Sequence, residues 1–263
     1  MTEPLLSCEG LCKSFADSYS PILHRPRHTL RAVDRITLQL HAGEILGIVG
    51  ESGSGKSTAA ELLGGLQTPD SGIVRFRGKD IRSLRGDSYR CFRRSVQYVF
   101  QDPLGSMNPN ASILSILTEP LYTLRLEPSA AKRRQRAEEI CDTVGLESAV
   151  LRKRPRELSG GQAQRIAIGR ALISRPELLI CDEAVSALDV SIQAQILNLL
   201  KELRERYRIA CLFISHDISV VNFLADRIAV MYQGRLIEEG AAAELLQAPR
   251  EEYTKLLLRD TLR

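Results

Sequence analysis

Apolar residues fall in short runs that end at a glycine or a charged side chain, a pattern typical of buried and half-buried β-strands. Residues 36–40 alternate apolar and polar positions, which predicts a strand with one face in the core. Strands are also predicted at residues 44–49, 73–77, 96–100, 178–181 and 210–214, and on both sides of Gln233 and Gly234. Because helical stretches separate most of these runs, the pattern predicts an α/β fold with a mainly parallel sheet.

The stretches between the strands carry helix signals. Helices are predicted at residues 56–66, 159–174 and 192–207, and Ser159 is the predicted N-cap of the second. From about residue 112 to 157 the chain is charged and lacks strand signals, which predicts an inserted α-helical subdomain. The first forty residues are predicted to form an antiparallel β region, with the polar stretch from Ala16 to Leu30 as an exposed loop.

Composition narrows the class of protein. The 263 residues are 44% hydrophobic and 26% charged, with a net charge of +4, as in ordinary globular proteins. No apolar run is long enough to predict a membrane span, and no secretory signal is recognised, so a cytoplasmic location is expected. Basic clusters near Arg90, Lys132 and Arg152 are interpreted as solvated surface rather than as a nucleic-acid site. The cysteines are expected to be reduced, with Cys181 and Cys211 in the core.

A glycine-rich loop between the first buried strand and the first helix carries the first chemical signal. Its sequence, GESGSGKST at residues 50–58, satisfies the pattern G-x-x-x-x-G-K-[ST]. Glycines let backbone N–H groups point at phosphate oxygens, and the helix N-terminus adds a partial positive charge. We expect Lys56 to reach the β- and γ-phosphates of a nucleotide and Ser57 to ligate Mg²⁺. The predicted nucleotide-binding residues here are Gly50, Ser52, Gly53, Ser54, Gly55, Lys56, Ser57 and Thr58.

Two carboxylates follow the apolar run at residues 178–181. A strand that ends in an acid is the Walker B pattern, in which Asp182 holds Mg²⁺ and Glu183 polarises the attacking water. Without other signals, the two acids fit a cap on the next helix equally well; the upstream phosphate loop favours the catalytic interpretation. A phosphate loop alone is shared by kinases, GTPases and helicases, and this second motif narrows the choice.

The sequence LSGGQ at residues 158–162 decides the class. With this signature in order after the phosphate loop, the chain resembles the ABC ATPase superfamily over nearly its whole length. In that family the signature lies at a helix start and binds the γ-phosphate of ATP held by the opposite subunit. The resemblance therefore implies nucleotide contacts for Ser159, Gly160, Gly161 and Gln162. A hydroxyl, two small residues and free helix N–H groups are suited to an anion.

Further positions match the family residue by residue. Gln101 corresponds to the Q-loop glutamine, which the resemblance implies contacts Mg²⁺ and water and faces the membrane subunit. The sequence SALD at 186–189 corresponds to the D-loop, and His216 to the switch histidine that contacts the γ-phosphate. Phe15 lies where the family places an aromatic ring that stacks on adenine, and it is equally compatible with a core residue.

Within the superfamily, the chain is similar to the ATPases of oligopeptide, dipeptide and nickel importers. The similarity is carried by VFQDPLGSMNP at 99–109 and DEAVSALDVSIQAQ at 182–195. The insertion from Ala16 to Leu30 resembles the second ATPase of such importers. Ala184 stands where most peptide-type members have proline, and the chain stops before their cysteine-bearing extension. Both departures favour a nickel or metal-chelate importer over a peptide importer.

The resemblance implies a P-loop NTPase (RecA-like) ABC ATPase fold for residues 1–263. Residues 1–111 and 158–263 would form the core with its N-terminal antiparallel β subdomain, and about 112–157 the α-helical subdomain. Glu183, His216 and Gln101 are the expected catalytic residues, and Ser57, Gln101 and Asp182 the expected Mg²⁺ ligands.

The implied partners follow from the same resemblance. They are ATP and Mg²⁺, a second, paralogous ABC ATPase, two transmembrane permeases and an extracytoplasmic substrate-binding protein, but no nucleic acid. The complex is expected at the cytoplasmic face of the cell membrane. Soluble ABC ATPases of translation or DNA maintenance remain the alternative, although they usually carry two cassettes, long coiled coils or zinc modules. A non-ABC P-loop kinase or GTPase is disfavoured by the LSGGQ sequence.

Overall fold

A computed structural model describes residues 3–19 and 26–261 of the chain. Its strands are β1 (Leu6–Tyr19), β2 (Pro26–Leu40), β3 (Ile45–Val49), β4 (Ser71–Phe76), β5 (Lys79–Asp80), β6 (Val96–Val99), β7 (Leu178–Asp182), β8 (Ala210–Ser215), β9 (Arg227–Tyr232) and β10 (Arg235–Ala241). Its α-helices are α1 (Lys56–Leu63), α2 (Gly86–Ser95), α3 (Ile113–Thr123), α4 (Ala130–Thr143), α5 (Gly160–Leu172), α6 (Val190–Tyr207), α7 (Ile218–Leu224), α8 (Ala242–Gln247) and α9 (Glu252–Thr261). Short 3₁₀ helices occupy Ile81–Ser83, Ser148–Arg152 and Pro155–Glu157.

The chain divides into two compact units. The first contains residues 1–84 and 212–263, and the second contains residues 85–211. Each unit has its own strands, helices and buried apolar side chains. The predicted α/β class is confirmed.

The first unit contains an antiparallel sheet in the strand order β2-β1-β4-β5. On β1, Leu6 lies opposite Leu40 of β2 and opposite Phe76 of β4. Leu6 and Leu40 are completely buried, as are Leu11 and Val33. The predicted antiparallel region near the N-terminus is therefore confirmed, with its apolar positions facing a core.

The stretch from Ala16 to Leu30 differs from the exposed loop predicted for it. β1 continues to Tyr19 and β2 begins at Pro26, and the backbones of these two strands pair. Residues 20–25, the remainder of the predicted loop, lie outside the described residues. The loop prediction was wrong for the flanking residues because backbone pairing to a neighbouring strand sustains a strand even where the sequence is polar.

A second group of strands in the first unit has the order β10-β9-β3-β8. β3 pairs in parallel with β9, with Val49 opposite Val230, and β9 pairs antiparallel with β10. Every residue of β3 is buried. Helix α7 packs so closely on β3 that a Cβ at Gly47 would lie 2.0 Å from Cγ1 of Val221. A strand covered in this way gives a fixed start to the loop that follows it.

The second unit contains the parallel pair β6 and β7, with Val96 opposite Leu178. Helices α3, α4 and α5 pack on one another in this unit. The absence of a side chain at Gly169 of α5 admits Ile140 of α4, whose Cγ2 would lie 2.8 Å from an added Cβ. α3 and α4 occupy the segment 112–157, but the limits of a separate helical subdomain stay a prediction.

Cys181 on β7 and Cys211 at the start of β8 are buried, and their sulfur atoms lie 3.9 Å apart. The hydrogen bond with Cys181 and burial both raise the pKa of Cys211 well above that of an ordinary thiol. These two cysteines are therefore core residues, as predicted, and the raised pKa makes the thiol of Cys211 a poor nucleophile.

Candidate functional site

The loop at residues 50–58 joins β3 to α1 in the first unit. Gly55, directly before the helix, has φ 103°. A Cβ at this position would lie 2.0 Å from the carbonyl oxygen of Ala32 and 2.8 Å from Cε of Met231. Glycine meets both the backbone and the space requirement, so the loop passes close beneath β2 and β9 in a defined conformation.

Ser54 ties this loop to the turn that follows β9 and offers a group to a ligand. Its carbonyl oxygen accepts the N–H of Gly234 at 2.9 Å. Its hydroxyl is buried and has no hydrogen-bond partner within the described part of the chain. A buried polar group without a partner costs about 1–3 kcal/mol. A phosphate oxygen in the loop would supply that partner, so the residue fits the predicted nucleotide role.

Lys56 lies at the first position of α1, and its side chain folds back over the loop. Its ammonium donates to the carbonyl oxygens of Gly50 and Glu51, both at 2.8 Å. The residue is only 4% exposed. Both acceptors are neutral carbonyl groups, whereas an anionic phosphate oxygen forms a stronger, charge-assisted bond with an ammonium. The lysine is thus already held where a phosphate group would approach.

Ser57, the one predicted Mg²⁺ ligand in the first unit, is the second residue of α1. Ser57 is exposed there, as are Ser52 and Gly53 in the loop, and Thr58 is half-buried. Within residues 3–19 and 26–261, no three His, Cys, Asp or Glu side chains form a metal-binding cluster. The exposed hydroxyl of Ser57 fits Mg²⁺, which commonly binds through one or two protein oxygens together with substrate phosphates and water.

Phe15 lies on β1 opposite Leu30 of β2, and 38% of its surface is exposed. The ammonium of Lys13 lies 5.7 Å from its ring centroid. Lys13 is held in turn by Asp70, at 3.3 Å. The core interpretation of Phe15 is therefore excluded, and an exposed ring remains available for stacking.

His216 follows β8, and its side chain is exposed. The residues on each side of it are fixed: Ser215 is buried, and its hydroxyl accepts the N–H of Asp217 at 3.0 Å. The Asp217 carboxylate accepts the N–H of Ser219 at 2.8 Å and caps α7. The imidazole is thus presented by a short rigid segment in the first unit.

Asp182 ends β7 in the second unit and is 7% exposed. The hydroxyl of Tyr98, on the adjacent strand β6, donates to Oδ2 of Asp182 at 2.9 Å. The Tyr98 ring packs on Phe100, with the ring centroids 4.6 Å apart. A phenol held in this way fixes the orientation of the carboxylate predicted to bind Mg²⁺.

Glu183 and Gln101, both predicted to be catalytic, meet in the second unit. Nε2 of Gln101 donates to Oε2 of Glu183 at 3.0 Å. The backbone of Glu183 is left-handed, with φ 45°, and its carbonyl oxygen accepts the N–H and the hydroxyl of Ser186 at 3.2 and 3.0 Å. A left-handed backbone is uncommon outside glycine, and such strain is concentrated at functional sites.

The signature residues form the start of α5. Ser159 is the N-cap, as predicted: its hydroxyl oxygen accepts the N–H of Gln162 at 3.3 Å. In return, Oε1 of Gln162 accepts the N–H of Ser159 at 3.2 Å, which completes a capping box. Ser159 and Gly160 are exposed. An anion can therefore approach a capped, positively polarised helix end.

The two signature glycines have different surroundings. A Cβ at Gly161 would lie 2.7 Å from Cγ2 of Ile192 on α6, so this glycine serves packing within the second unit. A Cβ at Gly160 would only contact Leu188, at 3.5 Å. Gly160 is therefore the signature glycine whose small size serves access from outside.

The D-loop at residues 186–189 ends in a helix cap. Oδ1 of Asp189 accepts the N–H of Ile192 at 3.0 Å and the hydroxyl of Ser191 at 2.9 Å. These hydrogen bonds lower the pKa of Asp189, which therefore stays charged at neutral pH. The resemblance identified residues 186–189 as the D-loop, and the structure gives Asp189 a local role at the start of α6.

Two contacts at these sites were not predicted. The bond from Tyr98 to Asp182 depends on β6 lying next to β7, which no motif in the sequence encodes. The other is the bond from the N–H of Glu51 to the hydroxyl of Tyr253, 202 positions along the chain.

Comparisons with known proteins agree with this arrangement of motifs. A family model described as ABC transporter matches residues 33–186. The oligopeptide transport ATP-binding protein OppF of Salmonella typhimurium is 47% identical over 234 residues, which cover 89% of this chain and 70% of that protein. The oligopeptide transport ATP-binding protein AppF of Bacillus subtilis is 44% identical over 252 residues, with 94% and 75% covered. The ATP-binding cassette MJ0796, solved as a dimer in a post-hydrolysis state bound to ADP and Pi, has a TM-score of 0.79 at 30% identity, and the match covers 90% of this chain and 98% of that one.

Proposed function

This chain belongs to the ABC transporter family of ATP-hydrolysing proteins, and from that premise we propose that it is the ATPase subunit of an importer of short peptides. The observation that carries the catalytic part is the hydrogen bond between Gln101 and Glu183, at 3.0 Å. This bond orients the carboxylate of Glu183, whose backbone is strained, directly after the Walker B strand. A general base for the attacking water is required at that position.

In the first unit, the proposed role of residues 50–58 is to bind the phosphates of ATP. Lys56 would exchange its two carbonyl partners for β- and γ-phosphate oxygens, and the hydroxyl of Ser54 would gain a partner. Phe15 would stack on the adenine, and His216 would contact the γ-phosphate. The exposure of both side chains supports these roles.

In the second unit, Glu183 would accept a proton from the water that attacks the γ-phosphorus, while the bond to the β-phosphate oxygen breaks and ADP leaves. Gln101 would hold Glu183 and the water in line. Asp182 and Ser57 would hold Mg²⁺, which supplies charge stabilisation to the phosphates when bound. The hydrogen bond from Tyr98 to Asp182 supports this role, because it fixes the orientation of the Asp182 carboxylate.

A second ATPase subunit is proposed to complete each site. Ser159 and Gly160 are exposed at a capped helix start, which is suited to the γ-phosphate of ATP held by another subunit. The dimeric, nucleotide-bound state solved for the cassette MJ0796 supports this proposal. Opening and closing of such a dimer with ATP binding and hydrolysis would be the power stroke. The partner proposed here is a paralogous ATPase.

The membrane part of the complex is assigned to other chains. Within residues 3–19 and 26–261, no helix has the length and apolar character needed to cross a bilayer. We place the chain at the cytoplasmic face of the membrane, against two permease subunits, with an extracytoplasmic binding protein that delivers the cargo. The names of the OppF and AppF relatives support this assignment.

The proposal of peptides rather than nickel as the cargo rests on the names of the similar proteins. The preference for nickel rested on Ala184 and on the short C-terminal region, and the comparisons give it no support. Relatives at 44–47% identity are named for oligopeptide transport. We therefore propose peptides as the cargo.

Uptake by the reconstituted transporter tests the whole proposal. The chain would be co-expressed with the permeases encoded by neighbouring genes, and the complex would be placed in proteoliposomes. The binding protein would then be added together with labelled tri- to pentapeptides or ⁶³Ni²⁺. We expect ATP-dependent uptake of peptides, its loss in Glu183→Gln, and normal uptake in Glu205→Gln, a change at an exposed glutamate of α6.

Two outcomes contradict the proposal in different ways. Uptake of ⁶³Ni²⁺ without uptake of peptides would replace the cargo but keep the importer. Purification with ribosomes or DNA, and not with permeases, would favour the soluble ABC ATPase of translation or DNA maintenance.

A further inference from the structure

Tyr253, near the start of α9, reaches the phosphate loop from a distant part of the first unit. Its hydroxyl oxygen accepts the N–H of Glu51 at 3.0 Å. Glu51 is the first residue after Gly50, and its carbonyl oxygen is one of the two acceptors for the Lys56 ammonium. The peptide unit between Gly50 and Glu51 therefore presents its carbonyl oxygen to Lys56 and its N–H to Tyr253, and the next peptide unit carries the Glu51 carbonyl that also binds Lys56.

The Tyr253 ring is itself fixed by its neighbours. It packs on the ring of Tyr232, with the centroids 4.3 Å apart and the planes inclined by 39°. Tyr232 ends β9 and is followed by the turn whose Gly234 bonds to Ser54 of the phosphate loop. The same end of β9 thus supports the loop directly and supports the tyrosine that binds the loop.

The start of α9 is anchored on β10. The carboxylate of Glu238 accepts the N–H groups of Arg250 and Glu251, at 2.8 and 3.1 Å. Thr254, next to the tyrosine, is completely buried. A carboxylate that satisfies the free N–H groups before a helix fixes the helix start, so the position of the Tyr253 hydroxyl is set by two separate supports.

The Tyr253 hydroxyl stays in its neutral form. Burial raises the pKa of Tyr253, and the nearby Glu51 charge acts in the same direction, although the backbone hydrogen bond opposes them. A neutral hydroxyl accepts the Glu51 N–H without adding a negative charge beside a loop that must receive phosphates.

We propose that Tyr253 is a positioning residue of the ATP site: its hydroxyl holds the first peptide of the phosphate loop in the conformation that receives the nucleotide. The inference rests on the assignment of residues 50–58 to ATP binding. Without the bond, the loop would sample other conformations before binding, and their ordering would weaken the affinity for nucleotide. If Tyr253 only anchored α9, removal of its hydroxyl would leave nucleotide affinity unchanged.

The substitution Tyr253→Phe keeps the ring and its packing on Tyr232 but removes the acceptor. Calorimetric titration of the full-length protein with ADP is expected to show a dissociation constant raised about three- to tenfold, the range that one neutral hydrogen bond supports. The matched control is Lys255→Ala, which breaks an exposed ion pair with Glu252 on the same helix and should bind ADP as the wild type does.

The outcomes distinguish the role of Tyr253 from the assignment of residues 50–58 to ATP binding. Wild-type affinity in Tyr253→Phe overturns the role of Tyr253 while ADP binding by the wild type keeps the ATP assignment. Failure of the wild type itself to bind ADP overturns the assignment of the loop. Equal weakening in Lys255→Ala shows that general loosening of α9 is the cause and also overturns the proposal.

Amide hydrogen exchange on the wild-type protein keeps the test independent of how the variant folds. We expect the Glu51 amide to be protected without nucleotide, because its hydrogen bond is made within the protein. Exchange of this amide at the rate of an exposed loop would contradict the inference. In Tyr253→Phe, protection should be lost at Glu51 and retained on the buried strand β3.

Discussion

Glu183 brings together two features that are seldom found at one residue. Its backbone is left-handed, and its side chain is held by Gln101 at 3.0 Å. The left-handed region costs a non-glycine residue of order 1 kcal/mol, so the surrounding structure must impose it. That structure includes the two bonds from Ser186 to the Glu183 carbonyl. With the backbone in this conformation, the Glu183 carboxylate accepts the hydrogen bond from Gln101.

Replacement of this carboxylate by its amide tests the catalytic role. Glu183→Gln should bind ATP normally but lower turnover about 10²–10⁴-fold, because an amide cannot accept the proton of the attacking water. ATPase assays and nucleotide titration measure the two quantities separately. A variant that turns over ATP at the wild-type rate would show that another group is the base.

The buried Walker B aspartate gives a second prediction at this scale. Tyr98→Phe keeps the ring contact with Phe100 but removes the bond to Asp182, a hydrogen bond to a charged group worth about 1.5–3 kcal/mol. We expect ATPase activity to require about tenfold more Mg²⁺. A Mg²⁺ titration measures this, with Tyr89→Phe, at an exposed tyrosine of α2, as the control. An unchanged Mg²⁺ requirement would limit Tyr98 to a packing role.

The sequence predicts roles for residues that stand in motifs, such as Lys56, Glu183 and Ser159. It did not identify Tyr98, since a tyrosine on a strand has no meaning for the site until the neighbouring strand is known. Tyr253 was hidden for the same reason at greater distance. Motif spacing predicts which residues do the chemistry, whereas the residues that hold them depend on strand order and helix placement.

At the scale of elements, β2 is tied to β10 by a buried carboxylate. Asp34 is 5% exposed, and its oxygens accept from Arg31 at 3.1 Å and from Arg235 at 2.6 Å. Burial alone would raise its pKa, but the hydrogen bonds and charges of Arg235 and Arg31 lower the pKa below its ordinary value. The backbone N–H of Asp34 also donates to the carbonyl oxygen of Gly234. Gly234 lies in the turn that bonds to the phosphate loop.

This link should make stability depend on pH in a definite direction. A depressed pKa means that the contribution of Asp34 is complete above about pH 4 and is lost as the pH falls through the lower value of the folded state. Asp34→Asn should therefore melt several degrees below the wild type at pH 7, and the difference should narrow towards pH 3. Thermal melts across this range measure it. A difference that stays constant with pH would show that charge is not the cause.

The paired strands β1 and β2 show why the loop prediction was wrong for the residues on either side of the undescribed segment. Their sequence from Ala16 to Leu30 is polar and contains proline, which usually indicates a loop. The strands persist to Tyr19 and from Pro26 because each backbone finds its hydrogen-bond partner in the other. By contrast, the strands β3 and β7 were predicted closely, because burial of every residue leaves a continuous apolar run in the sequence.

For the molecule as a whole, the role proposed for the signature requires a second subunit. Ser159 uses its oxygen to cap α5, so its O–H remains to donate to a phosphate oxygen from outside. Ser159→Asp should keep the cap, since aspartate is as good an N-cap as serine, but should repel an incoming phosphate. We expect normal thermal stability and loss of the ATP-dependent dimer.

Size-exclusion chromatography with light scattering, in a Glu183→Gln background, measures this effect. Ser112→Asp is the matched control, because Ser112 caps α3 with the same geometry and should leave dimer formation intact. An ATP-dependent dimer that survives Ser159→Asp would remove the signature from the interface.

The long reach of Tyr253 also has a consequence for biosynthesis. The two partners of this hydrogen bond are made at different times, because Tyr253 follows Glu51 by 202 residues. At about 5–20 residues per second, this interval lasts roughly 10–40 s. Throughout that time the loop can emerge from the ribosome but cannot be braced from α9. The chain should thus acquire its full hold on nucleotide only after α9 has been made, so tight ATP binding is delayed until both compact units have been synthesised.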